Sequence, residues 1–131
     1  MCDKDYDPLY LGYFECFNQQ RFFEAHAVLE PLWLPQRQGP NGGFYKGLIQ
    51  LAGAFVHWQK NRPGPAVALL QLAQANLGKY PDIHQGLEVK AVLAMIDHWL
   101  RQLHTAAPAH RLSPPLVHLF DVGGRMLEVG C

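Results

Sequence analysis

The segment at residues 43–60 constrains the fold most, because apolar or small side chains surround most of its circumference. One stripe at helical spacing is apolar and comprises Phe44, Leu48, Leu51, Phe55 and Trp58. A second stripe beside it carries small and polar residues, namely Gly47, Gln50, Ala54 and His57. A helix with this pattern packs against neighbours on several sides. The sequence therefore predicts a central helix in a helical core.

Two helices are predicted ahead of this central one. The first has Asp7 as its N-cap and Pro8 at its first helical position, and it ends near residue 17. The second covers residues 21–34, where apolar side chains again recur at helical spacing. A loop rich in proline and glycine follows, and Asn41 is expected to cap the central helix.

Two further helices are predicted after the central one. The fourth begins near Pro65, which suits a first helical position, and Gly78 is a natural stop. The fifth covers residues 87–103. Short connections favour antiparallel neighbours, so we expect an all-α fold, a compact bundle of about five helices.

The chain changes character after the fifth helix. Three prolines interrupt any helix there, namely Pro108, Pro114 and Pro115. Two β-prone runs then flank Gly123 and Gly124, which predicts a short β-hairpin with a two-residue turn. A lone hairpin is marginally stable in water, so it is expected to dock on the bundle or on a partner. We divide the chain into a helical bundle domain, 1–104, and a Pro-rich C-terminal extension, 105–131.

Composition and charge exclude several classes of protein. Hydrophobic residues make up 49% of the chain and charged ones 17%, which is typical of a globular protein. Lys and Arg together number 11, as do Asp and Glu, and no basic run offers a surface for nucleic acid. The most apolar run, residues 47–58, is about half as long as a membrane span requires. We expect a protein that binds neither nucleic acid nor membrane.

The remaining targeting and cysteine signals favour a cytoplasmic location. The chain starts without a basic region followed by an apolar one, so no signal peptide is expected. The three cysteines Cys2, Cys16 and Cys131 are odd in number and widely spaced, which argues against a disulfide framework and a cysteine-rich zinc site.

Five polar residues interrupt the apolar helices and form the candidate site. In FFEAHAVLEPLW, residues 22–33, His26 and Glu30 lie about 40° apart on a helical wheel, one turn removed. Glu24 points away from them, towards the electropositive first turn. Gln50 and His57 share one face of the central helix, two turns apart. If the second and third helices pack antiparallel, these two pairs would converge inside the bundle.

Three interpretations of this cluster compete, and we favour a buried hydrogen-bond network. In such a network the Glu, His and Gln side chains satisfy one another, because an unpaired buried polar group costs about 1–3 kcal/mol. The second interpretation takes His26, Glu30 and His57 as ligands of a divalent metal, a set of two histidines and one carboxylate. The Glu-x-x-His pattern of di-iron bundles is missing, however.

The third interpretation makes Glu30 and His26 a proton-transfer unit near a small pocket. No GxSxG, HExxH or glycine-rich nucleotide motif accompanies them. The remaining histidines are predicted to be surface residues rather than ligands; they are His84, His98, His104, His110 and His118.

Two linked motifs carry a resemblance to a known family. FNQQRFFEAHAVLEPLW, followed by GLIQLAGAFVHWQKNRPGPAVALL, resembles the domain-of-unknown-function 309 family over about residues 10–103. The family pattern pairs a Phe-Glu-x-His-x-x-x-Glu-x-x-Trp helix with a Gly-Leu-Ile-Gln helix that ends in His. The matching positions are Phe23, Glu24, His26, Glu30, Trp33, Gly47, Leu48, Ile49, Gln50 and His57. The resemblance implies a helical bundle and supplies no substrate or cofactor.

Two positions depart from that family pattern. Ala27 stands where members commonly carry a second Glu after the His, so an activity that needs that Glu would be missing here. Pro31 stands where a Glu or similar residue usually precedes the Leu-Trp end, and it is expected to kink or shorten the second helix.

From these observations we predict a non-enzymatic binding or interaction module organised by a buried Glu–His–Gln network. Its partner would be a protein or a small molecule. A protein partner could be a second copy of this chain, which would give a homodimer. The alternative is a metal-dependent or acid–base enzyme that uses His26, Glu30 and His57. We expect no cofactor in the first case and a divalent metal in the metal-dependent form of the second.

Overall fold

The computed structural model describes residues 6–104, 115–117 and 119. The predicted all-α bundle is confirmed in this part of the chain, which contains five α-helices. They are α1 (Pro8–Asn18), α2 (Phe22–Trp33), α3 (Gly42–Gln59), α4 (Pro63–Leu77) and α5 (Val89–His104). A 3-10 turn, Leu34–Gln36, extends α2. Each helix packs on the next one along the chain.

The start of α1 follows the capping rules. The Asp7 carboxylate accepts a hydrogen bond of 2.8 Å from the backbone N–H of Leu9, and Pro8 occupies the first turn, where a missing N–H costs nothing. The helix ends where Gln20 adopts a positive φ of 64°. This turn brings the Arg21 N–H to the Cys16 carbonyl, at 2.9 Å, and starts α2 almost at once. The first predicted helix and its cap are therefore confirmed.

Pro31 does not shorten α2, because the helix continues to Trp33. The expected kink stays a prediction. Pro31 is exposed. Its ring deprives the Ala27 carbonyl of an intrahelical donor, but Ala27 is exposed as well, so that carbonyl lies on the side of α2 that faces solvent.

The central position of α3 is confirmed, because it packs against both α2 and α4. Its closest approach to α4 is at Gly47. A Cβ atom there would lie 2.8 Å from Cγ of Leu77 and 3.3 Å from Cβ of Asn76, so only glycine fits without a shift. The small residue at this position therefore sets the spacing of the two helices.

Asn41 does not cap α3 with its side chain, contrary to the prediction. The Asn41 side-chain oxygen lies instead 2.7 Å from Nε2 of His84. The Tyr80 hydroxyl takes over part of the capping function: it accepts a hydrogen bond of 2.9 Å from the Phe44 N–H and donates one of 2.8 Å to the Pro40 carbonyl. A distant segment of the chain thus satisfies the first turn of α3.

A short β-hairpin that the sequence did not predict precedes α5. Its strands are β1 (Ile83–His84) and β2 (Leu87–Glu88), and His84 pairs with Leu87 in antiparallel register. The two turn residues, Gln85 and Gly86, have φ values of 48° and 73°, as a type I′ turn requires. The predicted fifth helix accordingly begins at Val89 rather than at residue 87. The hairpin predicted around Gly123 and Gly124 lies outside the described residues.

Aromatic side chains fill the core between α1, α2, α3 and α5. Rings meet mostly edge to face, as in Phe55 and Trp99 with centroids 4.9 Å apart. The fully buried Tyr13 hydroxyl donates a hydrogen bond of 2.6 Å to the Leu48 carbonyl, which joins α1 to α3. Burial raises the pKa of this phenol well above its ordinary value.

The described part of the C-terminal extension lies against this core. Pro115, Val117 and Leu119 are buried there. The division of the chain after residue 104 stays a prediction. None of the helices in the described part is both long and apolar enough to pass through a lipid bilayer.

Candidate functional site

The predicted burial of Glu30 is wrong, since its side chain is exposed on α2, and that of Glu24 is exposed as well. The core-facing stripe of this helix is Phe22, Ala25 and Leu29. Glu30 follows Leu29 directly and is rotated from it by about 100° around the helix axis, so its side chain lies outside the core. Within the described residues the buried set contains no polar or charged side chain. The candidate site on α2 is therefore a surface rather than an internal network.

His26 and Glu30 do lie together, as the wheel predicted. Nδ1 of His26 is 3.8 Å from Oε2 of Glu30; the His26 side chain is 37% exposed and the Glu30 side chain 51%. The distance is too long for a hydrogen bond, so the contact is an ion pair only when His26 is protonated. Surface pairs of this kind contribute about 0–1 kcal/mol to stability.

Gln50 and His57 take no part in a network with that pair. The Gln50 side-chain oxygen accepts a hydrogen bond of 2.7 Å from the Asn76 amide of α4. Nδ1 of His57 is buried and has no hydrogen-bond partner among the described residues. The face of α3 that carries Gln50 therefore points to α4 and not to the polar residues of α2.

The proposed metal ligands are not assembled in this conformation. Among residues 6–104, 115–117 and 119, no three or more His, Cys, Asp or Glu side chains are grouped so as to hold a metal ion. His26 and Glu30 share the open flank of α2, whereas His57 has a buried ring nitrogen on α3.

A second polar cluster, which the sequence did not reveal, lies at the start of α3. The His84 ring packs edge-on against Phe44, with centroids 4.7 Å apart, and lies 5.0 Å from the ring of Tyr80. His84, which was predicted to be a surface residue rather than a ligand, is half-buried. Burial lowers the pKa of its imidazole, since the charged form loses hydration there.

The hairpin turn completes this second cluster. The Tyr10 hydroxyl donates a hydrogen bond of 2.9 Å to the Gln85 carbonyl, and the Tyr45 hydroxyl donates one of 3.1 Å to its side-chain oxygen. The cluster thus joins α1, α3 and the hairpin. One signal in the sequence could have predicted this hairpin: the pair Gln85-Gly86 stands between two short β-prone runs.

The outer flank of α2 exposes large apolar side chains. Phe23 is 66% exposed and Leu34 is 48% exposed. Together with Ala27 and Glu30 they lie at positions i, i+4, i+7 and i+11, which places all four on one side of the helix. We name these four residues the α2 outer stripe. The neighbouring Glu24 is exposed as well, and α2 contains neither Lys nor Arg.

Comparison with known proteins gives one match. Residues 10–69 match the family model described as Domain of unknown function (DUF309). Neither a curated protein nor a solved structure matches the chain significantly. The matched region covers most of α1, all of α2 and α3 and the first part of α4, and it therefore includes the whole α2 outer stripe.

Proposed function

The chain belongs to the DUF309 family, a domain of unknown function, and we propose that it is a non-enzymatic protein-binding module. Its docking surface is the α2 outer stripe. Its partner is a protein segment that forms an amphipathic helix with apolar and basic side chains.

The exposure of Phe23 carries this proposal. A phenylalanine that leaves two thirds of its side chain in water gains free energy when a partner covers it, at about 25 cal/mol for each Å² of apolar surface. Aromatic side chains are also common anchors of protein interfaces. Leu34 offers a second apolar contact at the other end of the same stripe.

The spacing of the stripe fits a helix laid alongside α2. Side chains at i, i+4, i+7 and i+11 present a straight row of about three turns. Ala27 lies between the two large residues, and its small side chain would let the backbone of a partner come close.

The charge of the surface favours a basic partner over a second copy of this chain. Glu24 and Glu30 are exposed beside the apolar residues, and α2 itself contains no Lys or Arg. Arginines flank it only at its two ends, Arg21 before the first turn and Arg37 against the Leu34 carbonyl. Lysine or arginine on a partner helix would complement these carboxylates. A symmetric pair of α2 helices would instead bring two copies of each carboxylate together, which is unfavourable.

A synthetic amphipathic helix of leucine and lysine is a suitable probe. Its binding to the full chain would be measured by calorimetry and mapped by amide chemical shifts. We expect the shifts to concentrate at the α2 outer stripe. Phe23→Ser should weaken binding at least about tenfold, which corresponds to about 1.4 kcal/mol. The double variant Glu24→Lys, Glu30→Lys should weaken it as well.

Two matched controls make this test specific. Ile83→Ser removes a side chain that is 65% exposed in the hairpin, and Glu88→Lys reverses an exposed charge beside it. Both variants should bind the probe like the parent chain, and a leucine–glutamate helix should not bind at all. Equal weakening by Ile83→Ser, or equal binding of the acidic helix, would contradict the proposal. A dimer of the free chain that Phe23→Ser dissociates would identify a second copy as the occupant and would also overturn it.

A further inference from the structure

Asn18, at the end of α1, recognises the backbone of Val117 in the C-terminal extension. Its side-chain amide donates a hydrogen bond of 2.6 Å to the Val117 carbonyl. Its side-chain oxygen accepts one of 2.7 Å from the Val117 N–H. The Asn18 side chain thus forms hydrogen bonds with both the N–H and the C=O of Val117, as a residue of a neighbouring β-strand would. Such contacts select an extended backbone and not a particular side chain.

The edge of β2 that faces away from β1 makes the next contact. Leu87 pairs with His84 of β1 on one side and forms an antiparallel bridge with Leu119 on the other. The edge of β2 therefore accepts an added strand. An open strand edge is a common binding site for extended peptides, because its unpaired N–H and C=O groups bind any main chain in the right register.

Alternate side chains of the extension enter the core. Pro115, Val117 and Leu119 are buried, whereas Leu116 between them is 58% exposed. This period of two is that of a strand with one face inward. The core thus buries the apolar side chains of the segment at positions 115, 117 and 119.

We propose that the groove between Asn18 and Leu87 is a binding site for extended peptides with apolar residues at alternate positions. Residues 115–117 and Leu119 are its occupant within the same chain. A partner segment of the same pattern would bind by displacing them, and would add a strand to β2. This groove is separate from the α2 outer stripe, so the proposal does not depend on the function proposed above.

The tethered occupant must compete with any free peptide. A tethered segment acts at an effective concentration in the millimolar range, so external peptides bind the intact chain weakly until it is released. Val117→Pro in the full chain releases it, because proline has no N–H to donate to the Asn18 side chain. The groove itself is unchanged in this variant.

The test uses a fluorescent peptide with the sequence of residues 113–120, SPPLVHLF, and measures its anisotropy with the full chain. We expect it to bind the Val117→Pro chain at least about tenfold more tightly than the parent chain. A peptide with proline in place of the valine should not bind. A peptide with serine in place of the first leucine, which corresponds to the exposed Leu116, should bind unchanged.

A second measurement needs no variant chain. Hydrogen exchange of the Val117 amide in the labelled parent chain should quicken when unlabelled peptide is added at millimolar concentration. Equal affinity for both chains would show that the segment does not occlude the groove and would overturn the proposal. So would a well-folded Val117→Pro chain that fails to bind the peptide, or an exchange rate that the peptide leaves unchanged.

Discussion

Gln50 of α3 and Asn76 of α4 are joined side chain to side chain by a hydrogen bond of 2.7 Å. Both residues are half-buried, and Asn76 lies beside Gly47, where the two helices come closest. The amide pair thus fixes the register of α3 on α4 at the point where the glycine fixes their spacing. Gln50 therefore has a structural role in the fold.

Asn76→Ala should destabilise the fold by about 0.5–1.5 kcal/mol, because Gln50 loses its partner at a half-buried position. Urea denaturation would measure the change in the free energy of unfolding. Gln71→Ala is the matched control on the same helix, since Gln71 is exposed, and it should change stability by less than about 0.5 kcal/mol. Equal effects of the two substitutions would show that the amide pair contributes nothing.

His26→Ala and Glu30→Ala should each change stability by less than about 1 kcal/mol, because their contact is a long, partly exposed ion pair. A buried network would instead lose about 1–3 kcal/mol in each variant. Thermal unfolding of both variants distinguishes the two cases. A large loss in either one would restore the internal network that the exposed side chains contradict.

Gly47→Ala should destabilise the fold by about 1–3 kcal/mol, because the added methyl group would overlap Leu77. Gly64→Ala is the opposite case near the start of α4, where an added Cβ meets nothing within 4 Å beyond its two chain neighbours. It should change stability by less than about 1 kcal/mol, because the smaller backbone entropy of alanine is offset by the clash of its Cβ with the ring of the following Pro65. Equal losses in both variants, measured by urea denaturation, would contradict the packing of α3 on α4.

Stability should fall as the pH drops below the ordinary histidine pKa of 6.5, with His84 as one cause. Burial lowers the pKa of His84 in the folded state, so the unfolded chain binds more protons between the two pKa values. The free energy of unfolding therefore decreases as the pH falls through that interval. Urea denaturation from about pH 7.5 to about pH 5 should show a shallower decrease for His84→Gln than for the parent chain. Parallel curves would show that His84 does not contribute.

The helices were predictable because their signals are local. Asp7 and Pro8 mark the start of α1 as the structure has it, and the double stripe of residues 43–60 identified α3 to within one residue at each end. The hairpin escaped prediction because its strands have two residues each, too few for a periodic pattern. Its first turn residue is Gln85, where a type I′ turn usually has Asn, Asp or Gly.

The candidate site was harder to predict, because a helical wheel gives relative angles and not the direction of the core. Two consecutive phenylalanines, Phe22 and Phe23, begin α2, and only the first is buried. If α2 were rotated about its axis by one residue, which is about 100°, Phe23 would be buried in place of Phe22. Glu24 and Glu30 would be rotated by the same angle relative to the core. Which of these orientations forms depends on packing between helices, and the sequence of α2 alone does not determine it.

The pair of hydrogen bonds between Asn18 and Val117 has a consequence for the order of folding. Successive helices contact one another, so most of the bundle can assemble from segments that are close in sequence, which favours rapid folding. These hydrogen bonds join residues 99 positions apart, so a long loop must close before they can form. We therefore expect them to form last, after the rate-limiting step. Asn18 would then govern how long the folded state lasts rather than how quickly it is reached.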